Sequence, residues 1–363
     1  MRLNIILLIF IVVFNVIINA KNTYNIGFIG NSLNTVAIDL FDALNIIIND
    51  YDNEKFSFQA KFLNDDSENL INEIKGENFI AITGFIKEKH KKVFEEIKDI
   101  PVIIIGSEYL SFDDEKFIFR IAPSNIDLAK ILCRIQISVL GKRKFAILYV
   151  EGEDEYLKIA EGYKNTVLKN KAVVDYFRSV DKDRKDFEAI LIRLRELKVN
   201  TIFFAGNYEQ ASLIAKQASE LNVGAEFSSL SYICNKDFIK KAKDGSQGAQ
   251  FTMAVPPSLY SFKKMRNFLE KYNETHKTMD AKIPYLFDGI DLLNSCLNEG
   301  KANKNDIMEC FKTKNFSGVT GNISFNENGL RLFYQPYFYV IRGKEFLYRK
   351  LNLKEKEAYL KMN

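Results

Sequence analysis

Residues 199–223 read VNTIFFAGNYEQASLIAKQASELNV. TIFFAG is a short, unbroken apolar run closed by a glycine, and the EQASLIAKQASELN that follows has helical character. A run that is apolar at every position suits a strand covered on both faces, which is the situation of a parallel sheet between helices. The same unit recurs outward in both directions. KFAILYV (144–150) leads into EYLKIAEGYKNTVLKN (155–170), and AVVDYFRSV (172–180) into DFEAILIRLRELK (186–198). Further upstream, YNIGFIG (24–30) precedes TVAIDLFDALNIIINDY (35–51), and FSFQAKFL (56–63) precedes SENLINEIK (67–75), a helix expected to begin at a Ser67 cap. FIAITG (79–84), KHKKVFEEIK (89–98) and IPVIIIG (100–106) continue the alternation. It restarts at IDLAKILCRIQISVLG (126–141), a helix stopped by Gly141. Two successive series of alternating strand and helix predict an α/β fold of two lobes, each a mostly parallel sheet between helix layers.

The last third is less regular. GAQFTMAVPP (248–257) is a strand or a connector, and three helices follow within 261–313, one with Pro284 in its first turn. FSGVTGNISFNENGLR (316–331) and YQPYFYVIRGKEFLYRK (334–350) carry the glycines and the Asn-Gly turn of hairpin-like strands.

The chain has 363 residues, enough for two domains with buried cores. Its 51 Lys and Arg against 47 Asp and Glu leave a formal charge of only +4, too mild to imply a nucleic-acid partner. At the amino terminus Arg2 is followed by an apolar run from Ile5 to Ile18, with Ala20 at the exit and a change of polarity at Lys21. That pattern describes a secretory signal peptide over 1–20, cleaved near Lys21. Its apolar core is shorter than the roughly 20 residues a spanning helix needs. An uncleaved anchor is the alternative. With no cysteine at the exit to carry a lipid, the expected location is the periplasm.

Of four cysteines, Cys296 and Cys310 are close enough in sequence for a bridge; four small buried side chains fit the sequence as well. No Cys-x-x-Cys spacing marks a redox or zinc site. His90 and His276 both fall in charged helical patterns without carboxylate spacing for a metal. No metal or other cofactor is expected. An enzyme reading lacks a nucleophile with its base: GFIGN is not Gly-x-Gly-x-x-Gly, and FSSLSY has no flanking glycines.

Four stretches, in order, resemble the type I periplasmic solute-binding proteins of branched-chain amino-acid (Leu/Ile/Val) importers. They are FIFRIAPSN (117–125), KRKFAILYVEGEDEYLKIAEGYKNTV (142–167), residues 199–223, and FSGVTGNISFNENGLR. The resemblance implies a two-lobe fold crossed three times by the chain. The first lobe would be 21–124 plus 255–333 and the second 125–254 plus 334–363. It also implies a monomer that traps a small-molecule solute between the lobes and delivers it to an ABC-transporter permease in the membrane. An exported ligand sensor, or a non-transport interaction module on the same fold, is the alternative.

By that resemblance the ligand contacts sit where strands end. Ser32 and Thr35 follow the first strand, although Asn31, Ser32 and Asn34 fit helix caps equally well. Thr83 is the hydroxyl of the next strand end, and Ser107 that of the one after, with Glu108 where family members carry a threonine. Tyr156 and Tyr208 lie just beyond second-lobe strands and are placed to cover a ligand. The acidic residues at 151–155 fit a solvated first helical turn as well as a cation contact. Ser231, with Tyr232, occupies the region where family members place an acid, and Tyr285 closes one side or packs in the core. Arg120 serves a ligand carboxylate or the connection between lobes.

Overall fold

The computed structural model describes residues 21–86, 88–106, 116–276 and 278–362. The expected leader, Ser107 and Glu108 lie outside the described residues. The chain is a two-lobe α/β protein and divides into two compact units. The described residues within 21–106, 116–121 and 260–333 form the first, and those within 122–259 and 334–362 the second.

In chain order the first unit opens with strand β1 (Asn22–Gly30), helix α1 (Thr35–Asp50), β2 (Phe56–Asn64), α2 (Leu70–Lys75), β3 (Phe79–Gly84), α3 (Lys91–Glu95), β4 (Val102–Ile104) and β5 (Ile118–Arg120). The second unit follows with α4 (Asn125–Ser138), β6 (Lys144–Val150), α5 (Asp154–Lys169), β7 (Val173–Val180), α6 (Glu188–Leu197), β8 (Thr201–Ala205), α7 (Tyr208–Glu220), β9 (Glu226–Ser228), α8 (Lys236–Ala242) and β10 (Gln250–Met253). The first unit is completed by α9 (Lys263–Tyr272), α10 (Ile283–Asn298), α11 (Lys304–Thr313), β11 (Phe316–Gly318) and β12 (Gly321–Ile323). The second ends with β13 (Tyr337–Arg342), β14 (Glu345–Tyr348) and α12 (Leu353–Leu360).

Among the described residues the first unit's main sheet has the order β2-β1-β3-β4-β5 and is parallel throughout. The second unit's sheet runs β14-β13-β10-β9-β8-β6-β7, parallel except where β13 pairs with β10 and β14 with β13. The runs that are apolar at every position became central strands: every residue of β3, β4 and β8 is buried. Tyr163 of α5 stacks on Phe203 of β8 at 4.0 Å between ring centres, tying the helix layer to the sheet. Its hydroxyl starts a buried polar string through Gln136 to Gln250 (2.9 Å for the second link) that keeps three polar groups satisfied in an apolar interior.

Local expectations differ in three places. The helix expected from Ser67 begins only at Leu70, because the Ser67 hydroxyl instead accepts from the Asn69 amide and donates to Glu73, building a turn before the helix. His90 is buried at 2% exposure, edge-on to Phe94, where a charged surface was expected. His276 also sits in more than a charged surface pattern: it stacks on Tyr272 at 4.1 Å. Its Nε2 lies 3.7 and 3.6 Å from the carboxylates of Asp39 and Asp42, brought there by α1. Cys296 and Cys310 are joined in a disulfide, Cα–Cα 6.2 Å, that links α10 to α11.

Candidate functional site

In both units the sheet order reverses beside the first strand of the series, at β1/β3 in one and β6/β8 in the other. Loops leave in opposite directions at such a point and open a crevice at the strands' carboxyl ends. The candidate residues follow those ends.

In the first unit, Ser32 is exposed on the β1–α1 connection and Thr35 is exposed as the first residue of α1. Asn34 caps α1, its Oδ1 accepting from the Val36 amide at 2.9 Å and the Ala37 amide at 3.4 Å. Asn31 is held by the Asp66 carboxylate and accepts from the Leu33 amide at 2.8 Å. Thr83 is fully buried within β3, and its hydroxyl donates to the Ile103 carbonyl of the neighbouring strand at 3.0 Å. Tyr285 is 3% exposed on the first turn of α10. Arg120 is buried at the end of β5, its amide donating to the Gly329 carbonyl at 2.9 Å.

The second unit gathers its candidates more closely. Tyr156, half-buried on the first turn of α5, meets the ring of Tyr232 edge to face at 6.4 Å. Tyr232 follows Ser231 in a short 3-10 turn after β9. Asn125, the first residue of α4, donates from one amide nitrogen to Glu155 at 2.8 Å and to the Tyr232 hydroxyl at 3.0 Å. Four side chains from three separate segments therefore form one connected group. Asn125 is placed by a capping box: Ser124 accepts from the Asp127 amide, and the Asp127 carboxylate accepts from the Ser124 amide. The Ser-x-x-Asp spacing was a readable signal for that helix start, and sequence reading passed over it. Tyr208, the first residue of α7, has its ring beneath the Lys241 ammonium at 4.9 Å.

The electrostatics of this group are one-sided. Burial raises the Tyr156 phenol above its ordinary range, and the carboxylates of Glu155, Glu153 and Glu209 add to the effect. Tyr208 is raised chiefly by its hydrogen bond with Glu209. Tyr232 is raised by burial and by Glu155, with Asn125 opposing. All three phenols are neutral near pH 7 and can donate a hydrogen bond, while Glu155 presents an acceptor fixed in orientation by Asn125. Such a group can orient a polar solute and cover it with aromatic surface.

A family model described as "Receptor family ligand binding region" matches residues 94–335, well over half of the chain. Over 175 residues the chain is 23% identical to the leucine-, isoleucine-, valine-, threonine- and alanine-binding protein of Pseudomonas aeruginosa, covering 47% of this chain and 46% of that one. The matched stretch thus spans less than half the length of the curated relatives it resembles. Two solved structures share the fold. The substrate-binding protein of a branched-chain amino-acid transporter from Streptococcus pneumoniae, in complex with isoleucine, superposes with TM-score 0.65 at 17% identity, over 90% of this chain and 98% of its own. A solute-binding protein from R. palustris, in complex with 4-hydroxybenzoate, does so with TM-score 0.66 at 14% identity, over 91% and 96%.

Proposed function

We propose, proceeding from the fact that this chain belongs to the receptor-family ligand-binding-region family, that it is an extracytoplasmic solute-binding protein. In this reading it captures a small polar metabolite, an amino acid or a near relative, and delivers it as a monomer to the permease of an ABC importer. It makes and breaks no bond in the ligand and needs no cofactor. The observation that carries the reading is the connected group of Asn125, Glu155, Tyr156 and Tyr232 at the strand ends of the second unit. Glu155 suits a ligand ammonium, the neutral phenols suit polar oxygens, and the two rings supply apolar cover. The names of the amino-acid-binding relatives support the ligand class. The Cys296–Cys310 disulfide supports folding in an oxidising compartment, in keeping with a leader over 1–20 removed near Lys21 and release into the periplasm.

The test is a thermal-shift screen of ligand-free protein against amino acids, small peptides, aromatic acids, polyamines and sugars. A ligand at about 100 times its Kd stabilises the folded state by ~2.7 kcal/mol, a shift of several degrees. An amino acid is expected to give that shift. Calorimetry with the same compound should then show at least about tenfold weaker binding for Tyr156→Ala and Glu155→Gln, each with a native circular-dichroism spectrum. If another class gives the shift, the ligand assignment changes and the binding role stands.

The second reading is an exported sensor or a non-transport interaction module, and the matched family's own description as a receptor region favours it. A folded protein that answers to no compound in the screen would move the assignment there.

A further inference from the structure

Helices α4 and α5 of the second unit lie side by side and leave a groove between them of about 410 Å³. Its floor depends on Gly162. A Cβ there would stand 2.6 Å from Ile126 Cγ2, so the missing side chain is what lets the α5 backbone come this close to α4. One turn further along α5, the Thr166 hydroxyl turns back to donate to the Gly162 carbonyl at 2.8 Å. Ile126, Gly162 and Thr166 thus form a floor without charge.

The walls are cationic. On α4, Lys130 and Arg134 follow Ile126 at intervals of four, which puts them on one face of the helix. The Lys130 stem reaches across to α5, its Cε 3.6 Å from where a Gly162 Cβ would lie. Arg134 is hydrogen-bonded to the buried Tyr359 hydroxyl of α12, which fixes its place beside the groove. On α5, Lys158 and Lys169 line the same groove, roughly 16 Å apart along the helix axis. Among the described lining residues the one carboxylate is Glu161. The whole chain holds 51 basic residues against 47 acidic ones, so four cations to one carboxylate is a local excess.

We propose that this groove binds a soluble, elongated phosphate anion, one whose negative charges are spread along its length. The spacing of the cations is the reason. A compact anion meets one or two of them, whereas a short polyphosphate chain lying along the floor meets both walls. The Arg134 fork suits two oxygens of one phosphate, and the lysines serve as point charges for the others. The groove lies along α4 and α5, and its lining does not include Asn125, Glu155, Tyr156 or Tyr232. The proposal therefore stands whatever solute that group takes.

Calorimetry of the full chain with inorganic tripolyphosphate tests it, at low ionic strength where charges are least screened. Saturable binding is expected, with orthophosphate at least about tenfold weaker because it reaches fewer cations. Lys130→Gln/Lys169→Gln alters one residue on each wall, and should weaken tripolyphosphate binding at least about tenfold with a native circular-dichroism spectrum. Glu161→Gln removes the carboxylate from the lining and should strengthen binding about two- to threefold. Lys236→Gln/Lys240→Gln makes the same change of net charge at exposed positions of α8, outside the lining, and should leave affinity unaltered. Equal losses in the two lysine pairs would reduce the effect to net charge and overturn the proposal. Absence of saturable binding would overturn it too. Vesicles containing an anionic phospholipid separate the two sources of phosphate. Vesicle binding that requires Lys130 and Lys169, with none to tripolyphosphate, would assign the groove to a membrane surface and overturn the soluble-anion proposal.

Discussion

Asp288 is held from several sides in the first unit. Fully buried, it accepts from the Val319 amide (2.7 Å), the Thr320 amide (2.8 Å) and the Thr320 hydroxyl. Burial pushes its carboxyl up to about 6, against the opposing pull of those donors and of Arg331. A folded-state pKa above the unfolded value means the folded state binds the proton more tightly, so this group's contribution to stability falls as pH rises from about 4 to about 6. Asp288→Asn offers no such titration and turns an amide donor toward a ring of donors, at a cost of about 2 kcal/mol. Urea denaturation from pH 4 to 8 should show a deficit for the variant that narrows between pH 4 and 6 and is constant above. Gly318 is tied to the same group. A Cβ there would lie 2.4 Å from the Asp288 carboxylate, so Gly318→Ala should lose at least about 2 kcal/mol in the same assay. The candidate site divides at this scale. The places of Tyr156 and Tyr208 were legible, because an aromatic just past a buried strand is visible in the local sequence. Asn125 and Glu155 were not legible as partners of Tyr232, because the Asn125–Tyr232 bond joins positions 107 residues apart.

Among elements, the disulfide between α10 and α11 closes a loop of sequence separation 14. Loop-closure entropy assigns such a link about 3 kcal/mol. The double variant Cys296→Ala/Cys310→Ala should therefore unfold at clearly lower denaturant with native helix content, and reductant should lower the melting temperature of the unaltered protein but not of the variant. The hairpin stretch was read correctly from its turn residues: β11 and β12 pair antiparallel, Phe316 opposite Ile323. Gly329, at φ +70, shows what such a turn requires, since a Cβ there would meet the Ile118 carbonyl at 1.8 Å. The shortened α2 and the buried His90 were missed for one reason. Both depend on which side-chain bond or face the surroundings favour, and a charged helical pattern carries no record of that.

For the whole molecule, each unit is built from separated lengths of chain, which predicts how it fails when cut. Residues 122–259 alone lack β13, whose positions Tyr337–Val340 pair with the β10 edge. That fragment should be unfolded or aggregated by circular dichroism and size-exclusion chromatography, because it exposes a buried strand edge. Joining it to 334–362 through a short flexible linker should restore a cooperative unfolding transition. A fragment 122–259 that folds unaided would contradict this reading of the unit. What the sequence alone determined was the α/β class, the alternation of strand and helix, the parallel central strands and the hairpins near the end. Each is a property of neighbouring residues, set by periodicity, continuous apolar runs and turn glycines. Tertiary structure alone decided that Cys296 pairs with Cys310, that Asn125 meets Tyr232, and that Arg331 holds both Ile121 and Phe333. The disulfide was open in the sequence because spacing permits a bridge without requiring one. The two polar groups were closed to it because their members come from distant segments, and only the packing of strands and helices brings such side chains within hydrogen-bond reach.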